Sequence, residues 1–467
     1  MFQYKVFLSI KKAILFLVFI QTTAVLAGIP DQVHRDSRSE YSQFWFLYEK
    51  EKRDGETELT IRPFYSSYHD KYRNYRQKSV LWPIYFSQKT DNWYYWTFLY
   101  IFSGTSVRHP DTGYDKDFII SPLFVWGRGE TPRDKYYGFF PLFGKVKSKV
   151  SWSEIRYFLF PLYASWEYKD FKAYSFIWPL MLYGKSATRY EFRILPLFSI
   201  KKKYGQYERY SVLWPFIQWG KILQDKKEPV SFGFFFPFYA WKKSAYGNMR
   251  SYSVLWPLFS YGYDKRTGEK NLNAFFFLYQ YGYSREKDYY KHIIFPFYGY
   301  YRFAGKQTRF ITPFYINLKS DTSHMKTNYT FLVPFFWKMK RYFPHLDSED
   351  VYYKLWPLFR YHRSPDGEVS WNFLSLLPVR SEKGEKIWDP IWSIMEYKKL
   401  VNGEKRLSLF MRLYTQRWSK DELHIHVPLL FDYSKTPEMF RWRIFYGLLG
   451  YERINGKRKF QVFWIKI

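Results

Sequence analysis

In the stretch "ELHIHVP" (422–428), two histidines one residue apart are the side chains best spaced for chemistry in this 467-residue chain. On a strand, His424 and His426 share a face and Glu422 falls in phase with them, because side chains alternate with a period of two. Three such donors in a row could bind zinc. The plainer reading is a set of polar side chains facing a wet lumen or rim. The other seven histidines are scattered, and acidic pairs such as Glu349–Asp350 fall in turn-like segments that read as solvated loops. No HExxH, GxSxG or phosphate-cradling glycine loop occurs. There is no cysteine, which excludes disulfides, thiolate metal sites and a cysteine nucleophile. The expectation is a non-enzymatic protein with no catalytic residue and no cofactor, and with His424, His426 and Glu422 as its sole metal candidates.

The elements that would carry these residues repeat. "SVLWPLFSYG" (253–262) returns as "SVLWPFIQWG" (211–220) and "SVLWPIYFSQ" (79–88). Aligned on the proline, the series runs through Pro63, Pro83, Pro122, Pro141, Pro161, Pro179, Pro196, Pro215, Pro237, Pro257, Pro296, Pro313, Pro334, Pro357, Pro378, Pro390 and Pro428, with steps that cluster around 20 residues. Proline-free copies fill the longer steps at "WTFLYIFSG" (96–104), "AFFFLYQYG" (274–282) and "LSLFMRLYT" (407–415). Each unit is an apolar run of about 11 residues centred on the proline, then a polar segment such as "DKRTGEKN" (264–271) that suits a tight turn. A quarter of the residues are aromatic, which favours strands. So short a connection cannot hold a crossover helix. The spacing therefore predicts an all-β, up-and-down antiparallel meander of about 20–24 strands, with one proline in the middle of each strand.

Along such strands Leu255, Pro257, Phe259 and Tyr261 share one face, while Val254, Trp256 and Leu258 share the other. Position +3 from the proline is small, as in Ser260, Gly299, Ala240 and Ala164. Both faces are apolar in mid-strand, unlike an antiparallel sheet with one wet face.

The N-terminus carries Lys5, Lys11 and Lys12, a short apolar run "AILFLVFI" (13–20) and "AVLA" (24–27) before Gly28. This is the pattern of a cleavable export signal over 1–27. A short segment, 28–40, would lead into a single repetitive β-domain over 41–467. No later stretch is apolar and long enough for a membrane helix.

Apolar strands of about 9–11 residues, an export signal and aromatic residues at fixed distances from the proline are together similar to bacterial outer-membrane β-barrels. That resemblance is one of class and implies a closed transmembrane barrel acting as a pore, a lipid or export conduit, or a structural surface protein. It implies interface girdles at Tyr136, Tyr174, Tyr210 and Tyr252, and at Trp219, Trp241, Tyr261 and Tyr300. A soluble exported β-repeat protein that binds an anionic polymer or a protein partner is the alternative, and a β-propeller a remoter one.

The formal net charge of +31 favours polyanions. "KKK" (201–203), "KK" (242–243) and "KMKR" (338–341) lie at strand ends beside Tyr or Trp. For an exported chain the expected partners are membrane lipid or lipopolysaccharide, with no nucleic acid. The expected place is the outer membrane, or else the periplasm or cell surface.

Overall fold

In the computed structural model, the described residues are 40–53, 55–109, 113–129, 135–147, 153–378 and 380–466. The expected export signal and almost all of the segment after it lie outside them. The chain is all-β, a single antiparallel meander of 44 strands from β1 (Glu40–Phe44) to β44 (Ile465–Lys466). Among the described residues one α-helix, α1 (Glu382–Trp392), interrupts it.

The meander is confirmed, but its strands are about twice as many as the repeat predicts. From Pro63 to Pro357 the apolar run around each repeat proline folds as two short strands with the proline in the turn between them. In "SVLWPLFSYG", β23 (Met249–Val254) ends at Val254 and β24 (Phe259–Asp264) begins at Phe259. Residues 255–258 form the turn. Leu258 N–H donates to Leu255 C=O at 2.7 Å, with Trp256 and a cis Pro257 between them. A turn leaves the missing proline N–H without a ladder bond to break, whereas a mid-strand site would break one. A cis-proline in the third place of a β-turn is a defined geometry.

Neighbouring turns bond to each other along this rim. Leu213 N–H donates to Leu197 C=O at 2.9 Å, and Trp214 N–H to Pro196 C=O at 2.6 Å. Leu255 N–H reaches Phe238 C=O at 2.8 Å, and Trp178 N–H reaches Pro161 C=O at 2.7 Å. The carbonyls around the prolines therefore find partners in the turn before or after. The rings preceding the prolines also meet from turn to turn: Phe160 and Trp178 are 5.6 Å apart, Phe236 and Trp256 5.9 Å.

Two further expectations change. The longest described strands have eight residues, short of the roughly nine to eleven that a tilted membrane-spanning strand needs. The sheet is not closed into a barrel either, since β1 pairs with β2 (Tyr48–Arg53), β44 pairs with β43 (Lys457–Val462), and no described ladder joins β44 to β1. Pro378 and Pro390 are not mid-strand prolines either: Pro378 lies between the strand Val369–Phe373 and α1, and Pro390 lies inside α1.

The described residues divide into two compact units, one within 40–83, 334–337 and 348–466, the other within 84–333 and 338–347. In the second unit the two sheet faces differ. One carries small and polar residues, among them Ala164, Ser175, Ser211, Ser253, Asn273 and Gln280, all buried. The small residue at +3 from the proline belongs here, and neighbouring rings fill the space above it. A Cβ on Gly299 would stand 2.1 Å from Phe310 Cε1.

The serine of the recurring phrase has a structural task on this face. Ser253 Oγ donates to Phe259 C=O at 2.7 Å, and Ser175 Oγ donates to Met181 C=O at 2.7 Å. From the other arm, Gln218 Nε2 donates to Pro215 C=O at 3.1 Å. The hairpin tip is thus fastened from one face by side chains, which leaves its apolar residues pointing outward.

Candidate functional site

The second unit's other face is organised in rows, because residues opposite each other in a ladder point the same way. The outermost row is the turns themselves. Leu213, Trp214, Phe216, Leu255, Phe297 and Phe314 are all exposed there, Phe297 to 68 %. Two residues inward comes a row that includes Val212, Ile217, Phe235, Tyr239, Val254 and Phe259, each paired with the next.

Two residues further lies an aromatic row. Tyr210 pairs with Trp219, Trp241 with Tyr252, and Tyr252 with Tyr261. The same row runs back through Tyr183 to Tyr174 and forward through His292 to Tyr300. Seven of the eight girdle residues read from the sequence thus share one line. Tyr136 does not; it opposes Gly127 on the other face and is buried. Tyr210 and Trp219 stack at 5.8 Å with their planes 17° apart.

Beyond the aromatics runs a basic row. From β20 (Ile217–Ile222) to β31 (Lys326–Leu332), the paired positions are Lys221, Ser231, Lys243, Arg250, Tyr263, Lys270, Tyr283, Tyr290, Arg302, Gln307, Lys319 and Asn328. Six are cations and none is a carboxylate. The polar turns follow, where residues such as Gly305 take positive φ (73°) as tight turns require.

The first unit buries a different arrangement. Residues 41–62 pack against 368–417 through charged side chains. Arg412 Nη1 meets Glu49 at 2.8 Å, Arg406 Nη2 meets Glu51 at 2.9 Å, and Arg53 Nη1 meets Glu368 at 2.5 Å. Arg406 also lies over the Tyr41 ring, 4.0 Å from its centre. Burial opposes ionisation of both glutamates, yet Arg412 and Arg62 hold Glu49 well below the usual range. Arg406, Lys398 and Arg53 likewise bring Glu51 down to about 2. A second cluster surrounds α1: Glu385 accepts from Arg360 Nη1 at 2.8 Å and pairs with the fully buried Lys354 at 3.3 Å. These networks join elements far apart in sequence.

No residue pattern announces this charged interior. Its one local signal is Ser381, an N-cap whose Oγ accepts from Gly384 N–H at 3.2 Å ahead of an acidic first turn. Asp350 is a correction as well. It is buried in β33 (Ser348–Leu355), 2.9 Å from His362 Nε2 and 3.5 Å from Arg380 Nη2, rather than in a solvated loop.

The histidine pair lies on Leu423–Val427. His424 Nδ1 and Ser434 Oγ are 2.9 Å apart, while Glu422 stands 4.0 Å from His424 Nε2. His426 Nδ1 faces Asp432 at 3.5 Å. Burial, then the Arg417 guanidinium, lowers the His424 pKa. No group of three ligating side chains suited to a metal occurs among the described residues. Nor is any described helix long and apolar enough to cross a membrane, which leaves strands out of account.

The chain matches no protein-family model, and no curated protein is significantly similar to it.

Proposed function

We propose that this chain is an exported, non-enzymatic protein of the bacterial outer envelope that seats its apolar turn row in one leaflet of a membrane. The observation that carries this reading is the order of the four rows: apolar turns, apolar residues, Tyr and Trp, then Lys and Arg. Trp219 lies four residues from Pro215 and Lys221 six. At about 3.3 Å per residue, the aromatic row stands roughly 13 Å from the turn tips and the basic row roughly 20 Å. One leaflet of hydrocarbon is about 15 Å deep, half the bilayer core. With the turns at mid-bilayer, the Tyr and Trp rings reach the interface they favour and the cations reach the headgroups. Short strands suit this depth and do not suit a crossing. A membrane seat also accounts for the exposure of so many large apolar turn residues, which in water is an aggregation hazard.

Flotation with neutral phosphatidylcholine vesicles tests the reading. The protein should rise with the vesicles and stay with them in high salt. Protein left at the bottom of the gradient, soluble and folded, would favour a soluble exported β-repeat protein.

A further inference from the structure

We infer that the basic row between Lys221 and Lys319 binds the phosphate-bearing headgroups of an anionic membrane. The inference rests on the membrane-surface reading and adds lipid selectivity to it. Over twelve consecutive strands the row holds Lys221, Lys243, Arg250, Lys270, Arg302 and Lys319 and no acidic residue. Strands lie about 4.8 Å apart, so the cations recur about every 10 Å along a line of about 48 Å. Lys221, Lys243, Lys270 and Lys319 are exposed.

In the first unit's interior the cations are neutralised. Arg406, Arg412, Lys354 and Arg360 each meet a carboxylate. In the row, Lys221 stands opposite Glu208 of the preceding strand, Arg302 pairs with Asp288 at 2.7 Å, and Lys270 lies 6.0 Å from the Tyr283 ring centre. The positive line therefore keeps most of its charge for an outside partner. Its place beside the aromatic row selects a membrane over a soluble polyanion, because a free polymer has no use for an apolar rim a few residues away. Each cation near an anionic surface contributes about a fivefold gain in binding.

The test compares vesicles of phosphatidylcholine alone with vesicles in which about a third of the lipid is phosphatidylglycerol, using the whole chain and the triple variant K221Q/K243Q/K270Q. The whole chain should bind the anionic vesicles more tightly, and salt should reduce the difference. The triple variant should lose on the order of a hundredfold on anionic vesicles while keeping its affinity for neutral ones. Equal binding of the whole chain to both vesicle types, or an unaltered preference in the folded variant, overturns the selectivity and leaves the membrane reading in place. Failure to bind either vesicle overturns the membrane reading itself. Circular dichroism of the variant shows whether it has folded, and the two-vesicle comparison on the unmodified chain decides the matter if it has not.

Discussion

Arg62 Nε donates to the main-chain oxygen of Lys386 at 3.2 Å, and Lys386 is the residue four before Pro390 in α1. In an unbroken helix that oxygen would accept from the N–H of residue 390, which proline lacks. The arginine fills the vacancy from the far end of the chain. Arg62 is fully buried, also donates to Phe46 C=O at 3.1 Å and pairs with Glu49. Its replacement in Arg62→Met should destabilise the first unit by about 3–5 kcal/mol, since Glu49 and the helix lose a buried partner together. In a Pro390→Ala background the helix can satisfy Lys386 itself. There the loss should shrink by about 1 kcal/mol, a coupling that denaturant unfolding of the four proteins would measure. Strictly additive changes would contradict the link.

Asp389 supplies a pH signature. It is fully buried, accepts from Ser375 Oγ at 3.1 Å and lies 3.3 Å from Arg360 Nε. Burial outweighs the arginine and lifts its pKa from 3.8 to about 6. The folded chain therefore holds a proton that the unfolded chain releases between about pH 4 and 6. This contribution to stability is complete below pH 3.8 and is lost as pH rises through 6, leaving a cost of about 3 kcal/mol at neutrality. Asp389→Asn should relieve much of that cost at pH 7 and little of it at pH 4. Glu51, held at about 2, acts in a lower window and with opposite sign, its stabilisation fading as pH falls from 4.5. Unfolding free energies at pH 4 and 7 check the assignment; equal effects of Asp389→Asn at both would refute it.

The serine of "SVLWP" should matter through one hydrogen bond. Ser253→Ala removes the donor to Phe259 C=O and should cost about 1 kcal/mol, with the fold retained. Ser175→Ala should behave alike, because Ser175 makes the same bond to Met181 and is fully buried. Amide exchange of the flanking strands would show the loosening locally, and unchanged protection would refute the role.

Much of this architecture was legible in the residues, and the misreadings have physical causes. Period, antiparallel order and polar turns follow from the 20-residue spacing and the Gly-containing segments. The strand number does not, because a turn built of Leu, Trp, Pro and Leu lacks the polar residues that usually mark turns. Leu213 and Leu255 take positive φ, 48° and 46°, which nothing in a leucine announces. The proline was the available signal, since a strand interior has no place for it. Of the surface rows, the aromatic positions could be read from spacing, but the acid-free basic row needed the register of twelve strands. The buried ion network was illegible because its partners, such as Glu51 and Arg406, lie hundreds of residues apart.

Depth in a bilayer tests the central claim most directly, and the absence of native cysteine makes the labelling clean. Nitroxides attached in Leu213→Cys, Trp219→Cys and Lys221→Cys, one at a time, would report their collisions with dissolved oxygen and with an aqueous nickel chelate on vesicle-bound protein. A leaflet-seated turn row predicts the position-213 label deepest, the 219 label at the interface and the 221 label in the headgroups, spanning about 15–20 Å. Three labels equally open to the aqueous chelate would contradict it.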